Sequence, residues 1–348
     1  MKGEVKALRR VKLRELRILI AVSQHGSLAK AAEQLAMSQP AVSKAIADLE
    51  DALGVSLFDR TNRGAEPTAQ GRIAIQRAVN MFDELRQATE EIEFLADPMS
   101  GELRVGGPPG LTGGLLPHVL DTINRERPGI RTAIVEGELE ELGPLLRDRA
   151  IDVALTRMPP AGVGGDIAFE RLFDERLFVI VGAGHPLARR RKISLKELAG
   201  ERWIIAHPGT SVHARIRAAF DGLGIAMPEP TLTAMSLQLR YELAMTDRFV
   251  TTVPGSLLYY GHAPASAQVL PIDLPGVAPT GFATLQGRSL SPVAKIFVEC
   301  VRKASRPIDG LDAEGLRRAL LQRAGSSERR RATGQASDSG NDHGGASQ

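Results

Sequence analysis

The side chains of this chain best placed to do chemistry lie near its N-terminus: Ser27, Ser38, Gln39, Pro40, Ser43 and Lys44, followed by Arg60 and Arg63. An amide, hydroxyls and an ammonium at the start of a helix can meet base edges and phosphates, and arginines in a Gly-containing loop can touch a phosphate backbone. Candidates for catalysis are poorer. The run GGPPGLTGG at residues 106–114 follows an expected strand and opens a helix, yet no Lys-Ser/Thr closes it and its spacing is not a dinucleotide fingerprint. The chain contains no GxSxG, HExxH or paired-cysteine motif. His207 and His213 flank a Gly-Thr-Ser turn without an obvious carboxylate partner. No enzyme, cofactor or metal site is expected.

The elements that must position the polar set are legible from periodicity. Leu28, Ala31, Ala32 and Leu35 recur at helical spacing behind Ser27, an N-cap type. Ala36, Met37 and Ser38 break the pattern. Val42, Ala45, Ile46, Leu49 and Leu53 then form a second stripe, with Ser38 as N-cap, Pro40 in the first turn, and Gly54 at the end. Gln39, Pro40, Ser43 and Lys44 fall opposite that stripe. The pair fits a helix-turn-helix with its reading helix second; by spacing alone an ordinary αα-hairpin fits as well. Residues 1–80 carry 13 Lys and Arg against 8 Asp and Glu, whereas residues 81–96 carry 1 against 5. A basic head followed by an acidic segment confines phosphate attraction to the N-terminal domain.

Behind the head, Thr68 can cap a long helix running to about Ala96 and stopped by Asp97-Pro98. Ile75, Ala78, Phe82, Leu85, Thr89 and Ile92 occupy a and d positions of three heptads, a seam that predicts pairing with a second copy. Two reading helices on successive major grooves would then require a roughly palindromic target.

From Gly101 strands and helices alternate: strands at 102–106, 131–136 and 151–156, helices at 111–125 and 139–149, an α/β unit with a parallel sheet. A second unit follows, with strands near 177–181, 203–205, 231–233 and 249–253. Segments 269–274 and 282–286 are expected to return to the first unit before a helix at 292–304. A cleft between two such units would take ligands beyond strand ends and at helix N-termini. The candidates there are Pro108, Gly110, Thr112, Glu138, Thr156 and Arg157 from one side, and Thr210, Ser211, Ser236 and Gln238 from the other. Thr112, Ser211 and Ser236 serve equally well as plain helix caps, and Glu138 can pair with Arg157.

The full reading is an α+β multidomain protein. Residues 1–67 form a winged helix-turn-helix, 68–97 a linker helix, and 98–304 an α/β domain with subdomain I at 98–163 and 267–304 and subdomain II at 164–266. Residues 305–348 form an extension in which Leu311, Leu316, Leu320 and Leu321 suggest a short amphipathic helix, with disorder expected from about residue 325. At 348 residues, 43% hydrophobic, 24% charged and net +3, the composition is ordinary for a soluble protein. One cysteine, Cys300, allows no internal disulfide and favours a reducing compartment. The basic N-terminus lacks the apolar run and cleavage site of a signal peptide, and no stretch approaches the roughly 18 apolar residues of a membrane span. A cytoplasmic location is expected.

The run Leu16, Gly26-Ser27, Ala31-Ala32, Leu35, Ser38-Gln39-Pro40-Ala41-Val42-Ser43, Ile46, Leu49-Glu50, Leu53-Gly54, Leu57-Phe58, Arg60, Thr68 and Gly71 resembles the N-terminal signature of LysR-type transcriptional regulators. Leu19 and Leu28 stand where that family usually has Phe, both swaps remaining apolar. The resemblance implies a one-component regulator that binds double-stranded promoter DNA as a homodimer or homotetramer through the linker helix, with RNA polymerase as a further partner. It also implies a periplasmic-binding-protein-like effector domain. Stretches 177–187 and 290–300 resemble the subgroup typified by the galactose-binding-protein regulator, which implies a sugar effector. An aromatic acid whose carboxylate faces Arg157 is the alternative ligand. The alternative function is a cytoplasmic solute-binding or enzymatic α/β protein whose helical head serves assembly.

Overall fold

The computed structural model describes residues 10–61, 64–159, 165–261 and 267–318. Two compact units result, one of residues Met1–Ala96 with Arg147–Ala150, the other of Asp97–Leu146 with Ile151–Gln348.

In the first unit, α1 (Leu13–His25), α2 (Leu28–Gln34) and α3 (Gln39–Leu53) precede a two-stranded ribbon, β1 (Phe58–Thr61) and β2 (Gly64–Pro67), paired antiparallel from Phe58↔Pro67 to Thr61↔Gly64. Leu19, Val22, Ala31, Val42, Ile46, Leu49 and Leu57 are fully or almost fully buried between these elements. The tight turn between α2 and α3 is made by Ala36 at φ +51°, a left-handed conformation in a non-glycine residue. Gly54 at φ +71° closes α3. Glu50, one turn before that end, accepts from the backbone amides of Leu57 (2.7 Å) and Phe58 (3.4 Å) and so fixes where the ribbon begins.

Thr68 Oγ1 accepts from Gly71 N at 2.9 Å and donates to Ser56 O at 2.8 Å, capping α4 (Ala69–Ala96) and tying it to the head. Gly71 is obligatory there, since a Cβ would stand 1.9 Å from Leu57 O. The heptad residues divide between two faces. Ile75, Ala78 and Phe82 pack into the head's own core. Leu85, Thr89 and Ile92 are exposed, in company with Met81, Ala88 and Leu95. The first half of α4 therefore spends its expected seam on the head, and the outward stripe is Met81, Leu85, Ala88, Ile92 and Leu95. On the acidic side of the helix, Asp83, with its side chain 1% exposed, accepts from Arg149 at 2.9 Å, and Arg149 also donates to Asn80 at 3.1 Å.

The second unit contains two mixed five-stranded sheets. The first has the order β4-β3-β5-β12-β6, with β3 (Ser100–Gly107) parallel to β4 (Gly129–Glu136) and β5 (Val153–Arg157), and β12 (Ala278–Leu285) antiparallel to both β5 and β6 (Ile167–Glu175). Helices α5 (Pro109–Thr112), α6 (Leu115–Glu126), α7 (Leu139–Arg147) and, after the last strand, α12 (Pro292–Ser305) accompany it. The second sheet has the order β11-β7-β10-β8-β9: β7 (Leu177–Gly182), β8 (Trp203–Ile205), β9 (Leu232–Thr233), β10 (Val250–Pro254) and β11 (Ala267–Val269). Helices α8 (Leu195–Leu198), α9 (Ser211–Asp221), α10 (Leu237–Ala244) and α11 (Gly255–Tyr260) lie between its strands in the chain. Trp203, Ile205, Ile216, Phe220 and Val250 centre its core.

Two expectations about these sheets are corrected. The first sheet, expected to be parallel, is mixed, because β12 runs antiparallel to both β5 and β6. The segment beginning at Val269 does not return to the first sheet: β11 pairs antiparallel with β7 in the second, and β6, within the span expected for subdomain II, belongs to the first. The crossings thus fall at Arg176, between β6 and β7, and between β11 and β12. Of the expected C-terminal helix, residues 313–318 are helical and Leu316 is buried against Gly255; Leu320, Leu321 and the segment from residue 325 lie outside the described residues. No described helix is long and apolar enough to cross a membrane.

Candidate functional site

On the head, burial of Val42, Ile46 and Leu49 turns the opposite face of α3 outward. Gln39, Pro40 and Lys44 are exposed, while Ser43 is half-buried. Ser38 holds the N-cap, its Oγ accepting from Ala41 N at 3.4 Å, so its hydroxyl is engaged in starting the helix. Ser27 caps α2 by position without a side-chain capping bond. Arg60 sits on β1, and Arg63 lies outside the described residues. The N-terminus of a 15-residue helix, carrying an amide and an ammonium on its outer face, is suited to the major groove, where the helix dipole also favours phosphate.

In the second unit a narrow cleft lies at the ends of both sheets. Pro108, Pro109 and Gly110 at α5, Glu138 before α7 and Arg157 at the end of β5 line it from the first sheet's side. Ala206, Thr210 and Val212 around the start of α9, Met235, Leu237 and Arg240 around the start of α10, and Pro254 at the end of β10 line the other. The walls approach each other closely and leave little room between them. Gly110 marks how close they come: a Cβ there would meet Pro254 Cγ at 2.7 Å.

Charge in this cleft is uneven. Arg157 Nη1 donates to Glu138 at 3.2 and 3.4 Å, with side-chain exposures of 9% and 21%. Arg240 is 5% exposed; its Nη1 reaches Thr252 O only at 3.5 Å, and the buried Nε atoms of Arg157 and Arg240 find no partner among the described residues. Burial lowers the Arg240 guanidinium to about 10. Arg215 on α9 is also lowered to about 10, by burial first and by the charge of Arg157 second, although Glu175 opposes the shift. Glu175 itself is pushed up by its burial.

Of the ligand candidates named from the sequence, the structure brings Pro108, Gly110, Glu138, Arg157 and Thr210 to the cleft wall. Thr210 is committed to the N-terminus of α9, accepting from His213 N at 3.2 Å and donating to His207 O at 2.9 Å. Ser236 is likewise a cap, accepting from Leu239 N at 3.2 Å. Thr112 donates to Glu136, Thr156 to Arg157 O, and Ser211, Ser236 and Gln238 do not line the cleft. Arg240 is the residue that sequence reasoning misses. Its signal is an arginine in the first turn and a half of a helix otherwise presenting Leu237, Leu239, Leu243 and Ala244.

Comparison with known proteins agrees with this division. Residues 13–72 match the family of bacterial regulatory helix-turn-helix proteins of the lysR type, and residues 96–306 match the LysR substrate binding domain. Among curated relatives, the HTH-type transcriptional regulator GbpR of Azospirillum brasilense is 30% identical over 298 residues, covering 85% of this chain and 87% of that one. The HTH-type transcriptional regulator GalR of Pseudomonas putida is 28% identical over 294 residues, covering 83% of this chain and 73% of that one. Among solved structures, a full-length OxyR variant from Pseudomonas aeruginosa superposes with a TM-score of 0.62 at 22% identity, covering 87% of this chain and 99% of that one. That likeness is one of fold.

Proposed function

Since the chain belongs to the LysR family of DNA-binding transcriptional regulators, a family of regulators and not of enzymes, we propose that α3 reads promoter DNA through Gln39, Pro40, Ser43 and Lys44. The ribbon at Arg60 and Arg63 contacts phosphates, and a small molecule in the cleft of the second unit sets the activity. The observation that carries the reading is the outer face of α3: Gln39, Pro40 and Lys44 are exposed at its N-terminus while Val42, Ile46 and Leu49 hold the other face in the core. Retardation of DNA from the gene's own upstream region in a mobility-shift assay tests it. Absence of specific retardation would sink it.

We further propose that two copies pair through the outward stripe of α4. Met81, Leu85, Ile92 and Leu95 are 48%, 50%, 69% and 83% exposed, a run of apolar side chains at heptad spacing that a single helix cannot cover. A second copy of the same helix has the matching stripe. Such a dimer presents two α3 helices to one face of the duplex, which extends a short reading surface to a two-part site. The ligand acts as a switch to the extent that it binds one arrangement of the assembled protein more tightly than the other. The cleft's hydrogen-bonding groups, Glu138 above all, support a ligand bearing hydroxyls.

A further inference from the structure

Arg240 is a buried charge without a buried counter-charge. It is 5% exposed and lines the cleft; among the described residues it forms no ion pair, and the hydrogen bond it makes there, to Thr252 O, is 3.5 Å long. Two neighbouring arginines of the same unit are paired with carboxylates: Arg288 meets Asp152 at 3.0 Å and Arg157 meets Glu138 at 3.2 Å. A guanidinium taken out of water with no anion is strongly unfavourable, and unlike a lysine it does not escape by losing its proton at neutral pH. A regulator keeps such a charge where something else brings the anion.

Resting on the reading of this cleft as the regulator's ligand site, we propose that its ligand is a small hydroxylated carboxylate. Its carboxylate lies on the Arg240 guanidinium and its hydroxyls turn toward Glu138. The planar fork of arginine matches a carboxylate in two parallel hydrogen bonds, and Nε of Arg240 is one of the donors without a partner. Val212, Met235 and Leu237 border the same space with apolar side chains. Glu138 has only acceptor oxygens when ionised, so it selects hydroxyl donors and repels a doubly charged phosphate. Even at a value of about 10, Arg240 remains cationic at neutral pH. A neutral sugar would fill the hydroxyl half of this arrangement and leave the guanidinium uncompensated.

The test titrates full-length protein with galactonate, gluconate, lactate and 4-hydroxybenzoate, beside galactose, glucose and inorganic phosphate. Thermal shift and isothermal titration provide the readouts, on wild type, R240Q and R240K. At least one carboxylate is expected to raise Tm saturably where the neutral sugars do not. R240Q should weaken its binding by about 10-fold or more, as for a lost hydrogen bond to a charged group, while R240K, which keeps the charge, retains part of it. Circular dichroism of both variants separates this from a folding defect. The inference is overturned by galactose or glucose stabilising as strongly as the acids, by phosphate matching them, by R240Q and R240K both leaving carboxylate binding unchanged, or by no carboxylate of the set giving an Arg240-dependent shift. Retardation of upstream DNA by the same protein without ligand is read in parallel. Intact retardation with a failed carboxylate arm overturns this inference and leaves the regulator reading standing.

Discussion

Glu175 and Ser256, 81 residues apart, meet where the chain leaves the first sheet for the second: Glu175 Oε1 accepts from Ser256 N at 3.0 Å, and the Ser256 hydroxyl donates to Oε2. Burial pushes the Glu175 carboxyl up, against those hydrogen bonds and the charges of Arg157 and Arg215. The folded state therefore holds a proton at Glu175 more tightly than the unfolded chain does. This contribution is greatest below the ordinary value of 4.5 and is lost as pH rises through the raised folded value. The stability of wild type relative to Glu175→Gln should fall as pH is raised from 4.5 toward neutrality, measured by urea unfolding at each pH. A difference that does not vary with pH would count against a buried, raised carboxyl.

The reading face of α3 makes a graded prediction for DNA. Lys44→Ala or Gln39→Ala should cost about 1–3 kcal/mol of specific affinity if the side chain makes a good base contact. Ser43, half-buried, should cost less. Arg63→Ala should weaken every sequence alike and flatten the dependence on salt. Unchanged operator affinity in Lys44→Ala would move the reading face elsewhere.

Two substitutions one turn apart on α4 should behave differently. Leu85→Asp alters an exposed residue of the outward stripe and should yield folded monomers in sedimentation. Phe82→Asp places a charge against the head's core and should lower the stability of the head itself. A persistent dimer in Leu85→Asp would refute the proposed seam.

Glu50 is expected to matter although it faces no DNA in this reading. Glu50→Ala strands the amides of Leu57 and Phe58, both residues buried, and should cost about 1–3 kcal/mol in denaturant unfolding for an unsatisfied buried donor. Because the ribbon then starts without its anchor, affinity for nonspecific DNA should fall as well. A variant as stable as wild type would show that water replaces the carboxylate.

Local features were the legible ones. The spacing of Leu28 to Leu35 and of Val42 to Leu53, with Ser38, Pro40 and Gly54 as punctuation, specifies α2 and α3 because a helix buries one face at a fixed period and needs particular residues at its ends. Which of two overlapping stripes on α4 turns inward was not legible, since Phe82 and Leu85 are equally apolar and only the presence of the head core beside Phe82 distinguishes them. Strand partners were hidden for a similar reason. Alternation identifies a strand but not its neighbour, so the placement of β6 beside β12, far later in the chain, and of β11 beside β7 required the fold. Arg240 escaped because its significance is a lack of company in three dimensions.

The crossings have a mechanical meaning. The sheets of the second unit are joined at Arg176 and again between Val269 and Ala278, and the chain returns a third time after α12, where Leu316 packs at Gly255 and Arg317 donates to Ile272 O at 2.6 Å. Each tether removes a direction in which one sheet can move against the other, so the segment after α12 acts as a buckle across the two.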